Sequence, residues 1–168
     1  MDRNRKYNEE LIKAMNWLGE QDNTLFVGQA VRYAGTGMFN SLLDVADEKK
    51  LEFPVAENFQ MGYCTGLALN GIIPIAIYPR WNFLLCAADQ IVNHLDKLHS
   101  MSSGKVDPKV IIRVAVGTEN PVDPQEQHKG NFADAFRSML KHVNVVELTH
   151  SDDIVDCYKQ DRKSTRLN

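Results

Sequence analysis

Glu57 is the side chain with the best claim to chemistry. It follows Pro54-Val55-Ala56, a short apolar run with a proline, and opens Glu57-Asn58-Phe59-Gln60-Met61-Gly62-Tyr63-Cys64-Thr65-Gly66-Leu67-Ala68. A helix start carries unpaired N–H groups and partial positive charge, so an acid there is favoured. Most glutamates in such a place do no more than suit the dipole. If a parallel strand precedes the helix, the carboxyl instead stands at the sheet edge where open α/β folds hold ligands. A carboxyl held there can take up and return a proton. Gly62 and Gly66 lie one helical turn apart in the same segment. Each costs a helix about 1 kcal/mol relative to alanine, so the pair predicts a close approach, either to the chain's own sheet or to another helix.

The elements that must position Glu57 follow from the apolar pattern. Residues 8–21 read as a helix with Leu11, Ile12, Met15 and Leu18 on one face, and Glu9 and Glu10 in its first turn. Thr24-Leu25-Phe26-Val27-Gly28 is a buried-type strand, residues 33–37 a glycine-bearing loop, and 38–48 a helix. A brief extended segment, 53–55, precedes the helix of Glu57. Residues 72–78 form the next strand, with Pro74 required early in it or at a sheet edge. A long helix is expected over 83–98, striped by Leu84, Ala88, Ile91, Leu95 and Leu98. A strand over 109–116 leads into a polar stretch, 117–130, with prolines at 121 and 124. Loops of that length inside a compact domain are often functional. A helix over 131–141, a strand over 143–148 and a helix over 152–159 capped by Ser151 complete the pattern. Helices alternating with continuous apolar strands predict a three-layer α/β/α fold with a mostly parallel sheet, in one domain.

Composition excludes several classes. The 168 residues suffice for one domain with its own core. The net charge of −3 offers no basic face for nucleic acid, and no apolar run reaches membrane-spanning length. The N-terminal ten residues lack the apolar core of a signal peptide. Cys64, Cys86 and Cys157 have no metal-ligand spacing, which predicts no metal site, reduced packed thiols and a cytoplasmic chain. Residues 161–168, Asp-Arg-Lys-Ser-Thr-Arg-Leu-Asn, carry no apolar periodicity and read like one frame of a sequencing-adapter oligonucleotide. They are expected to be an adapter-derived or cloning tail outside the fold, with the domain, 1–160, incomplete at its C-terminus.

Several strings, in order and at compatible spacing, resemble the pyrimidine-binding domain of thiamine-diphosphate enzymes in the transketolase and 2-oxo acid dehydrogenase beta-subunit family. They are Phe26-Val27-Gly28-Gln29, Pro54-Val55-Ala56-Glu57, Gly62-Tyr63-Cys64-Thr65-Gly66-Leu67-Ala68, Asn82-Phe83, Asp89-Gln90-Ile91-Val92-Asn93, Lys109-Val110-Ile111-Ile112-Arg113 and Gln127-His128. The resemblance covers residues 24–159, and the spacing of Glu57, Gly62 and Gly66 is its most specific part.

The resemblance implies a beta-type subunit of a decarboxylating 2-oxo acid dehydrogenase, pyruvate dehydrogenase-like. It implies that Glu57 hydrogen-bonds the far ring nitrogen of the cofactor's aminopyrimidine and drives its activating tautomer. Phe83 matches the aromatic residue that stacks on that ring, with Trp81 close by, and Val55 and Pro79 match its apolar contacts. His128 matches a histidine facing the reaction centre, where it would handle protons or hold the substrate carboxylate. The family commonly has Ser-Gln after that histidine, and Lys129-Gly130 stand here. It commonly has an acid where Gln29 stands. The Gly-Asp-Gly motif with a downstream Asn, which binds magnesium and the diphosphate, is not in this chain. Thiamine diphosphate is therefore expected to be shared with an alpha-type partner that carries the magnesium. A second copy would pack through the Gly62/Gly66 helix. The substrate is a small 2-oxo acid, or a sugar phosphate if the chain is a transketolase-like ketol transferase. A non-catalytic assembly subunit of the same fold is the remaining alternative.

Overall fold

The computed structural model describes residues 3–117 and 123–167. Of the loop expected over 117–130, residues 118–122 lie outside the described residues. A six-stranded sheet runs in the order β2-β1-β3-β4-β6-β5, and every strand pair is parallel. The strands are β1 (Thr24–Gly28), β2 (Lys50–Glu52), β3 (Ile73–Tyr78), β4 (Ile111–Val114), β5 (Asn144–Val145) and β6 (Arg166–Leu167). β1, β3 and β4 are apolar along their length because both faces are covered. Phe26, Ile73, Ile75, Ile77 and Ile111 point to one core with α1 (Arg3–Gly19) and α7 (Ile154–Asp161). Val27, Ala76, Tyr78 and Ile112 point to the other, with α3 (Glu57–Leu69), a helical run over 81–101 and α6 (Ala133–Met139). The expected three layers are present.

Two local details fix the centre of the sheet. Ile73 N–H reaches Asn23 O on the β1 side, so Pro74 faces the other side. There the β4 pairing begins only at Ile75, opposite Ile111, so the missing proline N–H costs no ladder bond. At the end of β1, a Cβ on Gly28 would run into the backbone carbonyl of Ile77. Only glycine allows that approach.

The exits of β1 and β3 set up the site. After β1 the chain sends Val31, Met38, Leu42 and Val45 into the α1/α7 core. After β3 it sends Trp81, Leu84, Ala87 and Ile91 into the opposite core. Neighbouring parallel strands whose connections leave to opposite faces open a crevice at their carboxyl ends.

Several expected elements differ. The first helix begins at Arg3, so Glu9 and Glu10 are not in its first turn. The helix expected over 38–48 is a single turn, α2 (Gly37–Asn40). Ser41 Oγ donates to Met38 O and receives Arg113 Nη1 at 2.8 Å, an alternative to continued helix. The extended segment before Glu57 is β2, ending at Glu52 rather than spanning 53–55. The long helix is continuous in space but changes winding: α4 (Trp81–Leu84), a 3-10 turn (Leu85–Ala87), π-type turns (Gln90–Leu95), then α5 (Asp96–Met101). Ser151 caps nothing; it lies inside a 3-10 turn. The strand over 143–148 is only two residues long, because its neighbour among the described residues, β6, is equally short.

Part of the segment read as an adapter-derived or cloning tail pairs into the sheet. β6 sits between β4 and β5, Leu167 is fully buried, and Val110 N–H donates to Thr165 Oγ1 at 3.4 Å. Arg162 bonds Gln21 and Asn23, each at 2.8 Å. The physical reason is the open edge of β4, whose unpaired N–H and C=O groups accept an extended segment that brings an apolar side chain.

Candidate active site

Glu57 is the first residue of α3 and is only 7% exposed. Gln29, just past the end of β1, donates its Nε2 to Glu57 Oε1 at 3.1 Å. Oε2 has no hydrogen bond among the described residues. Tyr78 OH, at the end of β3, donates to the Glu57 carbonyl at 3.2 Å. Burial pushes the Tyr78 hydroxyl well above its usual range, with the Cys64 and Glu57 charges adding to the effect, so it stays a neutral donor. One turn on, fully buried Gln60 donates to Val27 O at 3.2 Å and Ile77 O at 3.0 Å. That amide pins α3 to β1 and β3 at once. The carboxyl of Glu57 is thus held over the crevice between these strands.

Glu52, which sequence reasoning missed, orients Gln29. Its carboxylate accepts the successive backbone N–H groups of Ala30, Val31 and Arg32, each at 2.8 Å. Such a concavity of amides binds an anion well. It holds Ala30 at φ 58, a left-handed conformation that costs an alanine about 1–2 kcal/mol; charge-assisted hydrogen bonds offset that cost. The signal was present in Leu51-Glu52-Phe53, a carboxylate inside an apolar run.

Phe83 and His128 come together from 45 positions apart in the chain. Their ring centroids are 5.2 Å apart, tilted by 45°. Phe83 is half-buried in α4 and His128 half-buried in the 3-10 turn Glu126–His128. A Cβ on Gly117 would strike the His128 carbonyl, so glycine three residues past β4 lets this turn close down. His128 Nδ1 is buried without a partner among the described residues. Trp81 turns away: it is 4% exposed and packs on Phe136 at 5.4 Å between centroids. Pro79 is half-buried between β3 and α4, whereas Val55 is 81% exposed ahead of α3. Val55 therefore packs into neither core among the described residues. The structure places Glu57 over the carboxyl ends of β1 and β3, and Phe83 with His128 beside those of β3 and β4.

Cys64 does no chemistry; burial pushes its thiol far above its usual range. Among the described residues no group of His, Cys, Asp and Glu could hold a metal. A hollow of about 440 Å³ lies elsewhere, lined by Arg137, Leu140, Lys141 and residues 143–146. It has no carboxylate, imidazole or thiol, so the chemistry points to the open crevice instead. The two helix glycines part company. A Cβ on Gly62 would lie 3.3 Å from Gln90 Oε1 of the same chain, but Gly66 faces open space. On this helix Phe59, Tyr63 and Leu69 are 62%, 38% and 50% exposed, and the rings of Phe53, Phe59 and Tyr63 touch.

A buried carboxyl with one oxygen occupied by an amide and the other without a partner fits the ring nitrogen of an aminopyrimidine. The half-exposed face of Phe83 suits a flat heterocycle.

No protein-family model matches the chain. It is 34% identical over 125 residues to the pyruvate dehydrogenase E1 component subunit beta of Cyanidium caldarium, covering 73% of this chain and 38% of that protein. It is 31% identical over 149 residues to the subunit of the same name from Rickettsia bellii, covering 86% and 45%. It is 32% identical over 111 residues to the 3-methyl-2-oxobutanoate dehydrogenase subunit beta of Mycobacterium tuberculosis, covering 64% and 31%. The chain thus spans less than half the length of these relatives. In fold it is similar to a solved structure titled as a split-gene transketolase, an inactive beta4 tetramer. The TM-score is 0.68 at 15% identity, over 98% of this chain and 49% of that one. In sequence the chain is similar to the beta subunits of 2-oxo acid dehydrogenases and in fold to a split-gene transketolase, and both fit the transketolase and 2-oxo acid dehydrogenase beta-subunit family.

Proposed function

We propose that the chain is part of a beta-type subunit of a thiamine-diphosphate-dependent 2-oxo acid dehydrogenase, pyruvate dehydrogenase-like, and supplies the glutamate that activates the cofactor. The observation that carries this reading is Glu57, buried at the strand-end crevice with Oε1 held by Gln29 and Oε2 open. When bound, thiamine diphosphate supplies the acidic ring carbon on which a 2-oxo acid is decarboxylated. Glu57 holds and releases a proton at Oε2. Gln29 and the amides gripped by Glu52 keep Oε1 from turning into that role. Phe83 offers a flat apolar face, with Pro79 and Val55 at the rim. His128, against Phe83, offers an imidazole for proton handling on the substrate side.

The diphosphate and magnesium would be held by an alpha-type partner, and the open Gly66 face with its exposed aromatic residues suits a second copy of the chain. No helix among the described residues is long and apolar enough to cross a membrane; with the free cysteines this accords with the cytoplasmic placement that is part of the proposal. A ketol transferase would use the same carboxylate, and the substrate consumed separates the two. Calorimetric titration of thiamine diphosphate and magnesium tests the division of labour. The chain alone should bind feebly and the chain with its alpha-type partner tightly. Tight binding by the lone chain contradicts the shared site.

A further inference from the structure

We propose that Arg80 reads an oxyanion of the substrate, which makes it a specificity-determining residue of this site. The inference rests on the reading above and adds a residue which that reading does not use. Arg80 lies between β3 and α4, and its backbone is fixed. Its carbonyl accepts the N–H groups of Phe83 at 3.1 Å and Leu84 at 3.3 Å, and the next residue, Trp81, donates its N–H to Ala115 O at 3.2 Å. Arg80 and Phe83 therefore share one rigid turn.

The guanidinium lies on the His128 side of that turn. Its Nη1 is 3.0 Å from where a Cβ on Gly117 would stand, and that same atom would strike the His128 carbonyl oxygen. Arg80, Phe83 and His128 thus form one cluster at the carboxyl ends of β3 and β4. Arg80 is half-buried, yet it makes no hydrogen bond or ion pair among the described residues. Other arginines here are engaged: Arg137 holds Asp134 and Glu147, and Arg162 holds Gln21 and Asn23. Of the acids on the same loop, Asp123 is bound to Lys129 at 2.8 Å. A half-buried guanidinium with unmatched donors is costly until an anion completes it. Its planar fork matches a carboxylate or a phosphate in bidentate fashion. The shared chemistry is an oxyanion, which either the carboxylate of a 2-oxo acid or the phosphate of a sugar phosphate can provide.

The test is a titration of the 168-residue chain followed by NMR at the Arg80 side-chain Nε–Hε signal, assigned by its loss in Arg80→Lys. Pyruvate, ribose 5-phosphate, inorganic pyrophosphate and chloride at matched ionic strength are the probes. The expected result is a saturable shift with pyruvate or with ribose 5-phosphate, and none with chloride; which of the two acts identifies the source of the oxyanion. Arg80→Gln should weaken that binding tenfold or more, read on the His128 ring signals, since hydrogen bonds to charged groups contribute about 1.5–3 kcal/mol. The titration contains no thiamine diphosphate, so failure of the cofactor reading is told apart from failure of this one. Equal shifts with chloride, or no saturable shift with either substrate probe, overturn the proposal. So does tighter binding of pyrophosphate than of both substrate probes, which would assign the guanidinium to the cofactor. Should Arg80→Gln fail to fold, the wild-type titration alone decides.

Discussion

Replacing Asp96 with asparagine should cost the chain about 2 kcal/mol at neutral pH and much less in acid. Asp96 is fully buried at the start of α5. Its Oδ1 accepts the backbone N–H groups of Lys141, His142 and Val143 at 2.9, 2.7 and 3.0 Å, and its Oδ2 pairs with Lys97 Nζ at 2.9 Å. Burial pushes the carboxyl up, but the Lys97 bond and the three amides outweigh it and bring the pKa from 3.8 to about 2. A lowered native pKa means stability that is complete above the unfolded value and is lost as pH falls through the folded one. At about 1.4 kcal/mol per unit, the shift amounts to about 2 kcal/mol, roughly half of it gone by pH 3. Asparagine keeps one acceptor for the amides and removes the charge. With a urea slope of roughly 2 kcal/mol/M, the midpoint at pH 7 should drop by about 1 M. Circular dichroism followed through urea at pH 7, 4 and 3 measures the gap between the two proteins. A gap that stays constant from pH 7 to pH 3 refutes the argument, because the carboxylate would then have no special claim on its proton.

Glu52→Ala should free the amides of residues 30–32, so hydrogen exchange there rises more than tenfold while that of β4 is unchanged; equal protection in both proteins would remove Glu52 from the account of Gln29. Gly117→Ala should displace the His128 turn and abolish the Phe83–His128 ring contact, read as loss of nuclear Overhauser contacts between the two rings. Ending the chain at Gln160 removes Leu167 and the Thr165 bonds, and should lower the melting temperature by several degrees if β6 is part of the stable fold. An unchanged melting temperature would return residues 161–168 to the role of a passive tail, and codons in the source nucleic acid matching the adapter would name its origin.

What the sequence disclosed was whatever neighbours in the chain decide. β1 and the start of α3 at Glu57 were legible because an unbroken apolar strand and a carboxylate at a helix start are local patterns. Phe83 and His128 were legible only through resemblance, since nothing in their own neighbourhoods marks them. Gln60 and Asp96 were not legible, because each acts on backbone groups between 17 and 47 positions away, and of Glu52 only its place inside an apolar run was visible, not the amides 20 to 22 positions back that it holds. The helix expected over 38–48 failed for the same reason: Arg113 claims Ser41 from 72 positions off. β6 was missed because pairing with an open edge asks little of a strand beyond extension and one apolar side chain.

The central claim is that Glu57 acts on the cofactor through a proton. Its most direct measurement is carbon dioxide release from a 2-oxo acid by the subunit assembled with its alpha-type partner, comparing wild type with Glu57→Gln under saturating thiamine diphosphate and magnesium. The account predicts a fall of roughly 10²–10⁴-fold with assembly intact. A glutamine variant that assembles and decarboxylates at the wild-type rate contradicts it.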